Sequence, residues 1–105
     1  MDDKVEKRAL LEGIVEKFPA FPAAWKELSS LLDDPDARLR AITRGLEHDP
    51  DAETKGMLLI NRAFILHGRG DVEGAVKILG ELALDPESTL STELLAKATL
   101  AHFIR

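Results

Sequence analysis

Apolar residues are densest in the middle of the chain, between residues 57 and 66. The segment there reads Met-Leu-Leu-Ile-Asn-Arg-Ala-Phe-Ile-Leu, with eight apolar residues in ten. One stripe of so short a helix cannot hold that many apolar side chains, so a helix with this pattern is buried on most sides. The segment is also too short to cross a bilayer, which takes about 20 apolar residues. The pattern therefore predicts a central helix with other helices packed around it.

Helical spacing continues on both sides of this segment, and Pro, Gly and Asp residues divide the chain into further elements. Leu, Ala, Glu, Lys and Arg dominate, which favours helix, whereas alternating apolar and polar runs and hairpin-turn dipeptides are missing. The predicted helices span residues 3–18, 23–32, 35–48, 52–67, 72–84, and from 88 or 91 to the C-terminus. Short turns join them, so we expect antiparallel neighbours in one all-α domain of about six helices.

Residues at the ends of these segments indicate where the helices start and stop. Pro22 suits the first position of the second helix, where its missing N–H costs nothing. Gly68 and Gly70 can take the left-handed backbone that ends the fourth helix. The expected N-caps are Asp2 and Asp3 for the first helix, Asp34 for the third, Asp71 for the fifth, and Ser88 or Ser91 for the sixth.

The apolar positions of the first helix also predict which of its sides faces the core. The expected stripe is Val5, Leu11, Ile14, Val15 and Phe18. The sixth helix carries Leu94, Leu95, Ala98, Ala101 and Ile104 toward the C-terminus. The sixth helix carries more apolar residues than one narrow stripe needs. It therefore either packs tightly against the fourth and fifth helices or pairs its outer face with a second subunit.

The chain contains an internal repeat at an offset of 34 residues. Large apolar residues match large ones, and small residues match small ones. The matched pairs are Trp25 with Leu59, Ser29 with Ala63, Leu32 with Leu66, Ala41 with Ala75, and Ile42 with Val76. Small residues let two antiparallel helices approach closely. Each helical pair still leaves an apolar face uncovered, so the units are expected to stack.

These positions resemble the tetratricopeptide repeat family. The residues that carry the resemblance are Trp25-x-x-Leu28-Ser29-x-x-Leu32 with Ala41, and Leu59-x-x-x-Ala63-x-x-Leu66-x-x-x-Gly70-Asp71-x-x-x-Ala75 with Asp85-Pro86. The resemblance implies a short right-handed array, with a leading helix in 1–21, repeats in 22–51 and 52–87, and a trailing helix in 88–105. Asp36 and Ala37 stand where the family has Gly-Asp, and Asp49-Pro50 comes two residues early relative to Asp85-Pro86. These departures leave the register of the predicted helix 35–48 open.

The resemblance also implies a binding surface, because in this family the first helix of each hairpin lines a concave groove. The corresponding positions are Ala23, Lys26, Ser30 and Asp33 in the first repeat, and Met57, Ile60, Phe64 and His67 in the second. The last four fall on one helical face, which the alternative interpretation assigns to the core. The functional interpretation is an adaptor that binds a partner peptide or helix by burying an apolar anchor residue. Lys26 and Asn61 are isolated, so the carboxylate clamp of the family's chaperone-binding members is not expected.

Charge and composition limit the classes of partner that the chain is expected to bind. The net charge is −5, and the 14 basic residues are interleaved with acidic ones, which argues against nucleic-acid binding. No apolar run suits a membrane span, and the charged N-terminus does not resemble a signal peptide. The chain has no cysteine. We expect a cytoplasmic protein whose partner is an unidentified protein or peptide.

Catalytic and metal-binding patterns are weak. His48, His67 and His102 are not spaced three or four residues from one another, as ligands on one helix would be. No serine lies in a nucleophile elbow, and Gly68-Arg69-Gly70 is a turn rather than a phosphate loop. We therefore expect no metal, no cofactor and no enzymatic activity. Two alternatives stay open: a self-associating module that forms a homodimer through the sixth helix, and a helical enzyme with a site assembled around His67.

Overall fold

A computed structural model describes residues 3–104, and within that range the chain is all helical with no strand. The six helices are α1 (Asp3–Lys17), α2 (Pro22–Leu31), α3 (Pro35–Leu46), α4 (Ala52–Gly68), α5 (Val72–Leu84) and α6 (Leu90–Phe103). The all-α prediction is confirmed, and the bounds predicted for the fifth helix match the observed ones. None of these helices is both long and apolar enough to cross a membrane.

Side-chain caps explain where most of the helices begin. The carboxylates of Asp34 and Asp71 accept hydrogen bonds from the N–H groups of Ala37 and Gly74, at 3.2 and 2.9 Å. Both caps were predicted. For α6 the serine prediction is wrong, because Thr89 supplies the cap. A threonine oxygen has the same geometry relative to the helix as a serine oxygen, and only the structure shows which hydroxyl is used.

The first described residue of α1 is Asp3, which agrees with the predicted start of this helix. Asp3 is itself helical rather than a cap, and its carboxylate lies in the first turn, where it suits the positive end of the helix dipole. The expected cap at Asp2 lies outside the described residues. Pro22 and Pro35 occupy the first positions of α2 and α3, where proline needs no N–H partner. At the end of α4, Gly70 takes the left-handed conformation with φ of 89°, whereas Gly68 is still helical.

The helices form two compact units, divided between Pro50 and Asp51. In the first unit α2 packs against both α1 and α3. Its core consists of Leu11 and Val15 from α1 with Ala24 and Leu28 from α2. The turn between α1 and α2 is held by Trp25, whose Nε1 donates to the carbonyl of Pro19 at 2.7 Å.

Two residues that were predicted to face inward on α1 are exposed. Val5 and Phe18 lie in solvent, while Leu11 and Val15 are buried and Ile14 is half-buried. The buried pair is four residues apart, so α1 contributes only a narrow stripe to this core. A wider buried stripe would need a second helix packed on another side of α1. Among the described residues, the helix that packs on α1 is α2.

In the second unit α5 packs against α4 and α6, and α4 also contacts α6. The core residues are Ile60, Ala63, Ala75, Leu79, Leu82 and Ala96. α4 is buried on two opposite faces, one with Ile60 and Ala63 and the other with Leu58 and Ile65. The expectation of an extensively buried helix is met, but one edge of α4 reaches the surface at Phe64.

The apolar residues that the sequence places on the sixth helix are largely exposed on α6. Leu94, Leu95 and Ile104 are exposed, and Ala98 and Ala101 are exposed with them. The buried residues are instead Thr92, Ala96 and Thr99. These side chains are small enough to let α6 approach α4 closely. A Cβ atom placed on Gly56 of α4 would lie 2.5 Å from Thr92 Oγ1.

Hydrogen bonds at the start of α6 fix the same orientation. Ser91 Oγ donates to the Glu53 carboxylate of α4 at 2.8 Å, and the Thr89 hydroxyl donates to the same group. A carboxylate that accepts from two hydroxyls restrains the rotation of α6 about its own axis. The hydrophobic pattern of α6 alone contains none of this information.

The pattern of buried residues repeats between the helical pair α2 and α3 and the pair α4 and α5. In the first helices, residues 34 apart share their environment: Ser29 and Ala63 are buried, and Trp25 and Leu59 are half-buried. In the second helices Ala41 and Ala75, which match at the same offset, are both buried. The starts of these helices, Pro35 and Val72, lie 37 residues apart, and Ile42 and Leu79 at that offset are both fully buried. Burial in the second helices therefore fits both offsets.

Candidate functional site

Three aromatic rings meet at one end of the second unit. Phe64 and His67 are three residues apart on α4, and Phe103 comes from the last turn of α6. The Phe64 and Phe103 rings pack edge to face, with centroids 5.2 Å apart and planes at 85°. His67 stacks on Phe103 with centroids 3.9 Å apart and planes at 12°. We call Phe64, His67 and Phe103 the aromatic patch.

The aromatic patch packs against the core of the second unit on one side and is exposed to solvent on the other. Phe103 is half-buried and packs against the core of the second unit, and His67 is half-buried beside it. Phe64 is 48% exposed. Edge-to-face aromatic pairs contribute about 0.5–1.5 kcal/mol beyond their buried area, so the Phe64 ring is restrained even though half of it meets solvent. A restrained, exposed ring loses little conformational entropy when another molecule covers it.

The other two predicted site residues of α4 lie in different environments. Met57 is half-buried, and Ile60 is only 1% exposed. Ile60 is part of the core of the second unit, as the alternative interpretation of this stripe predicted. Of the four positions on α4, the structure thus joins Phe64 and His67 through Phe103 and keeps Ile60 beneath the surface.

The predicted residues of the first unit form a polar surface. Ala23 and Lys26 are half-buried, and Lys26 Nζ lies 3.4 Å from a carboxylate oxygen of Glu27. Ser30 Oγ donates to the carbonyl of Glu27 at 2.7 Å. Asp33 follows the end of α2 and pairs with Lys4 of α1 at 3.3 Å. Each polar side chain here already has a partner within its own unit. The groove that would combine this set with α4 stays a prediction.

Within residues 3–104 no group of three or more His, Asp or Glu side chains is arranged to hold a metal ion. In the same range no buried side-chain nitrogen or oxygen lacks a hydrogen-bond partner. The ring of His67 is stacked on the phenyl ring of Phe103.

Phe103 is the residue of the aromatic patch that sequence reasoning did not assign to the site. It lies 39 residues from Phe64 along the chain, so no local spacing connects the two. Its contact depends on how α6 packs on α4, and that packing depends on Gly56 and Thr92. No short motif in the sequence signals this contact.

Comparison with known proteins gives no relative: no family model, no curated protein and no solved structure significantly matches this chain. The likeness to tetratricopeptide repeats therefore rests on the residues quoted above.

Proposed function

We propose that this protein is a protein-binding adaptor, and that its aromatic patch takes an apolar anchor residue of a partner peptide or helix. The observation that carries the proposal is the position of Phe64, which is half exposed yet packed edge to face against Phe103. Contiguous exposed apolar surface is typical of interaction sites, and aromatic residues often supply the strongest contacts there. Met57 and His67, both half-buried, border the same surface.

The chemistry of the partner follows from the patch. A leucine, methionine or aromatic side chain could pack on the open side of Phe64, while the polar edge of His67 could accept or donate one hydrogen bond. The net charge of −5 would weakly favour a partner with basic residues beside its anchor. The proposed location is the cytoplasm. Disulfides are rare in that compartment, and this chain has no cysteine with which to form one.

Selection from a displayed library of random peptides tests the proposal. We expect the wild-type protein to enrich peptides that share a large apolar residue. Phe64→Ala should weaken their binding by about tenfold or more, because truncating a central aromatic contact typically costs at least about 2 kcal/mol. The measurement is fluorescence anisotropy of the enriched peptides with each variant.

A matched control separates the patch from general surface stickiness. Leu84 on α5 is 84% exposed and apolar, and it lies outside the aromatic patch. Leu84→Ala should leave peptide affinity unchanged. If the enriched peptides bind Phe64→Ala as tightly as wild type, or lose affinity equally with Leu84→Ala, the aromatic patch is not the binding surface.

A further inference from the structure

The outward face of α6 carries a continuous apolar strip. Leu90, Leu94, Ala98 and Ala101 follow one another at intervals of four, four and three residues, which places them on one side of the helix. All four are exposed; Leu90 is 70% and Leu94 57% exposed. The opposite side carries the buried residues Thr92, Ala96 and Thr99. We call the four outward residues the α6 strip.

The charges beside the α6 strip balance one another. Glu93 and Lys97 lie along one edge of it, and Lys97 Nζ donates to Glu93 Oε1 at 2.8 Å. No charged residue stands among the four strip positions themselves. Although the whole chain has a net charge of −5, this face is locally neutral, so a second copy would not be repelled from it.

We propose that two copies of this chain pair through the α6 strip, with their α6 helices antiparallel and a two-fold axis near residues 95 and 96. Residues of two antiparallel helices lie at the same height when their numbers add to a constant. With the axis at this position, Leu94 of one copy faces Ala98 of the other, and Leu90 faces Ala101. In the same register Glu93 faces Lys97. The residue numbers of these three pairs add to between 190 and 192, so facing residues differ in height by at most about 3 Å.

This register makes a second copy a better occupant than a parallel or unrelated helix. Each large side chain meets a small one, which lets the helix axes approach closely. Each carboxylate meets an ammonium group, and the helix dipoles run in opposite directions. A parallel pair would instead place Leu94 on Leu94 and Ala98 on Ala98. The large and small residues and the opposite charges are thus arranged so that the face is complementary to itself under two-fold rotation.

The interface is small, which sets the expected strength. Stable interfaces bury about 800 Å² per partner, and one face of a helix with 14 residues offers less than that. Leu95 and Ile104 are exposed at the edges of the strip and extend it. We therefore expect a reversible dimer with a dissociation constant on the order of 100 µM.

Charge-swap variants test the register by sedimentation equilibrium between about 10 µM and about 1 mM. Wild type should dimerise across this range. Glu93→Lys and Lys97→Glu alone should each weaken self-association by about tenfold, because like charges then face each other across the two-fold axis. An equimolar mixture of the two variants should restore the wild-type affinity, since every charge then meets its opposite. Far-UV circular dichroism checks that each variant keeps its helix content.

A second pair of variants separates this interface from the peptide-binding patch. Leu94→Ser should abolish dimerisation without lowering peptide affinity, whereas Phe64→Ala should leave the dimer intact. Leu84→Ser is the control for an exposed leucine outside both surfaces, and it should change neither property. A wild-type protein that stays monomeric up to about 1 mM, a mixture no tighter than its components, or a dimer that survives Leu94→Ser would each overturn the proposal.

Discussion

Gly56 is the position where a single methyl group should disturb the second unit most. A Cβ atom there would lie 2.5 Å from both Cγ2 and Oγ1 of Thr92 and 3.0 Å from its Cβ. Carbon atoms in contact normally lie about 3.5–4.0 Å apart, so α4 and α6 would have to separate by about 1 Å. Thr92 cannot easily turn aside, because it is buried and its Oγ1 lies within hydrogen-bond distance of Thr89 Oγ1, at 2.9 Å.

The expected cost of Gly56→Ala is the balance of three contributions. Overpacking of a core costs about 1–3 kcal/mol. Separating the helices also strains the hydrogen bonds from Ser91 and Thr89 to Glu53, each with a net contribution of about 0.5–1.5 kcal/mol. Against these, alanine is favoured over glycine within a helix by about 1 kcal/mol. We expect a net loss of about 1–3 kcal/mol in the free energy of unfolding of this unit.

Urea denaturation followed by far-UV circular dichroism measures this loss. Circular dichroism is used because it includes the signal of α4 to α6. The fluorescence of the single tryptophan, Trp25, would report on the first unit instead. Gly80→Ala on α5 is the control, because no atom lies within 4 Å of its added Cβ; it should stabilise by up to about 1 kcal/mol. Adding Thr92→Ala to Gly56→Ala should recover part of the loss. A Gly56→Ala variant as stable as wild type would refute the close approach of α4 and α6.

Two further substitutions test other parts of the second unit. Asp71→Ala removes the cap that accepts from Gly74 N–H at 2.9 Å, and it should lower the free energy of unfolding by about 1 kcal/mol; urea titration checks this, and an unchanged midpoint would contradict it. Leu79→Ala truncates a side chain with 0% exposure and should cost about 2–5 kcal/mol, measured in the same way. A loss below about 1 kcal/mol would mean that Leu79 does not lie in a tightly packed core.

Sequence reasoning succeeded where the determining contacts are local. Asp34 and Asp71 each act on an N–H group three residues away, so a short window of sequence contains the whole signal. The prolines at the start of α2 and α3 act equally locally. The burial predicted for the dense apolar segment 57–66 is also met: Leu59 and Leu66, for example, pack against the core of the second unit.

It failed where rotation or register depends on distant residues. The sequence alone did not predict which face of α6 is buried, because Gly56 and Glu53 on α4 select the small and hydroxyl-bearing side of that helix. The offset of 34 residues does not hold for the starts of the second helices, because α3 begins at Pro35 and α5 at Val72, 37 residues later. Phe103 entered the aromatic patch by the same long-range packing.

The aromatic patch is the surface that we propose binds a partner. The most direct measurement is an NMR titration of the protein with the tightest selected peptide, following the aromatic ring protons. We expect the Phe64 and Phe103 resonances to shift most, with smaller shifts at His67 and at the methyl group of Met57, because a peptide side chain packed on Phe64 replaces water and changes the surroundings of these groups. Saturable shifts confined to other surfaces, such as Leu39 and Thr43 on α3, with the Phe64 ring unaffected, would contradict the account.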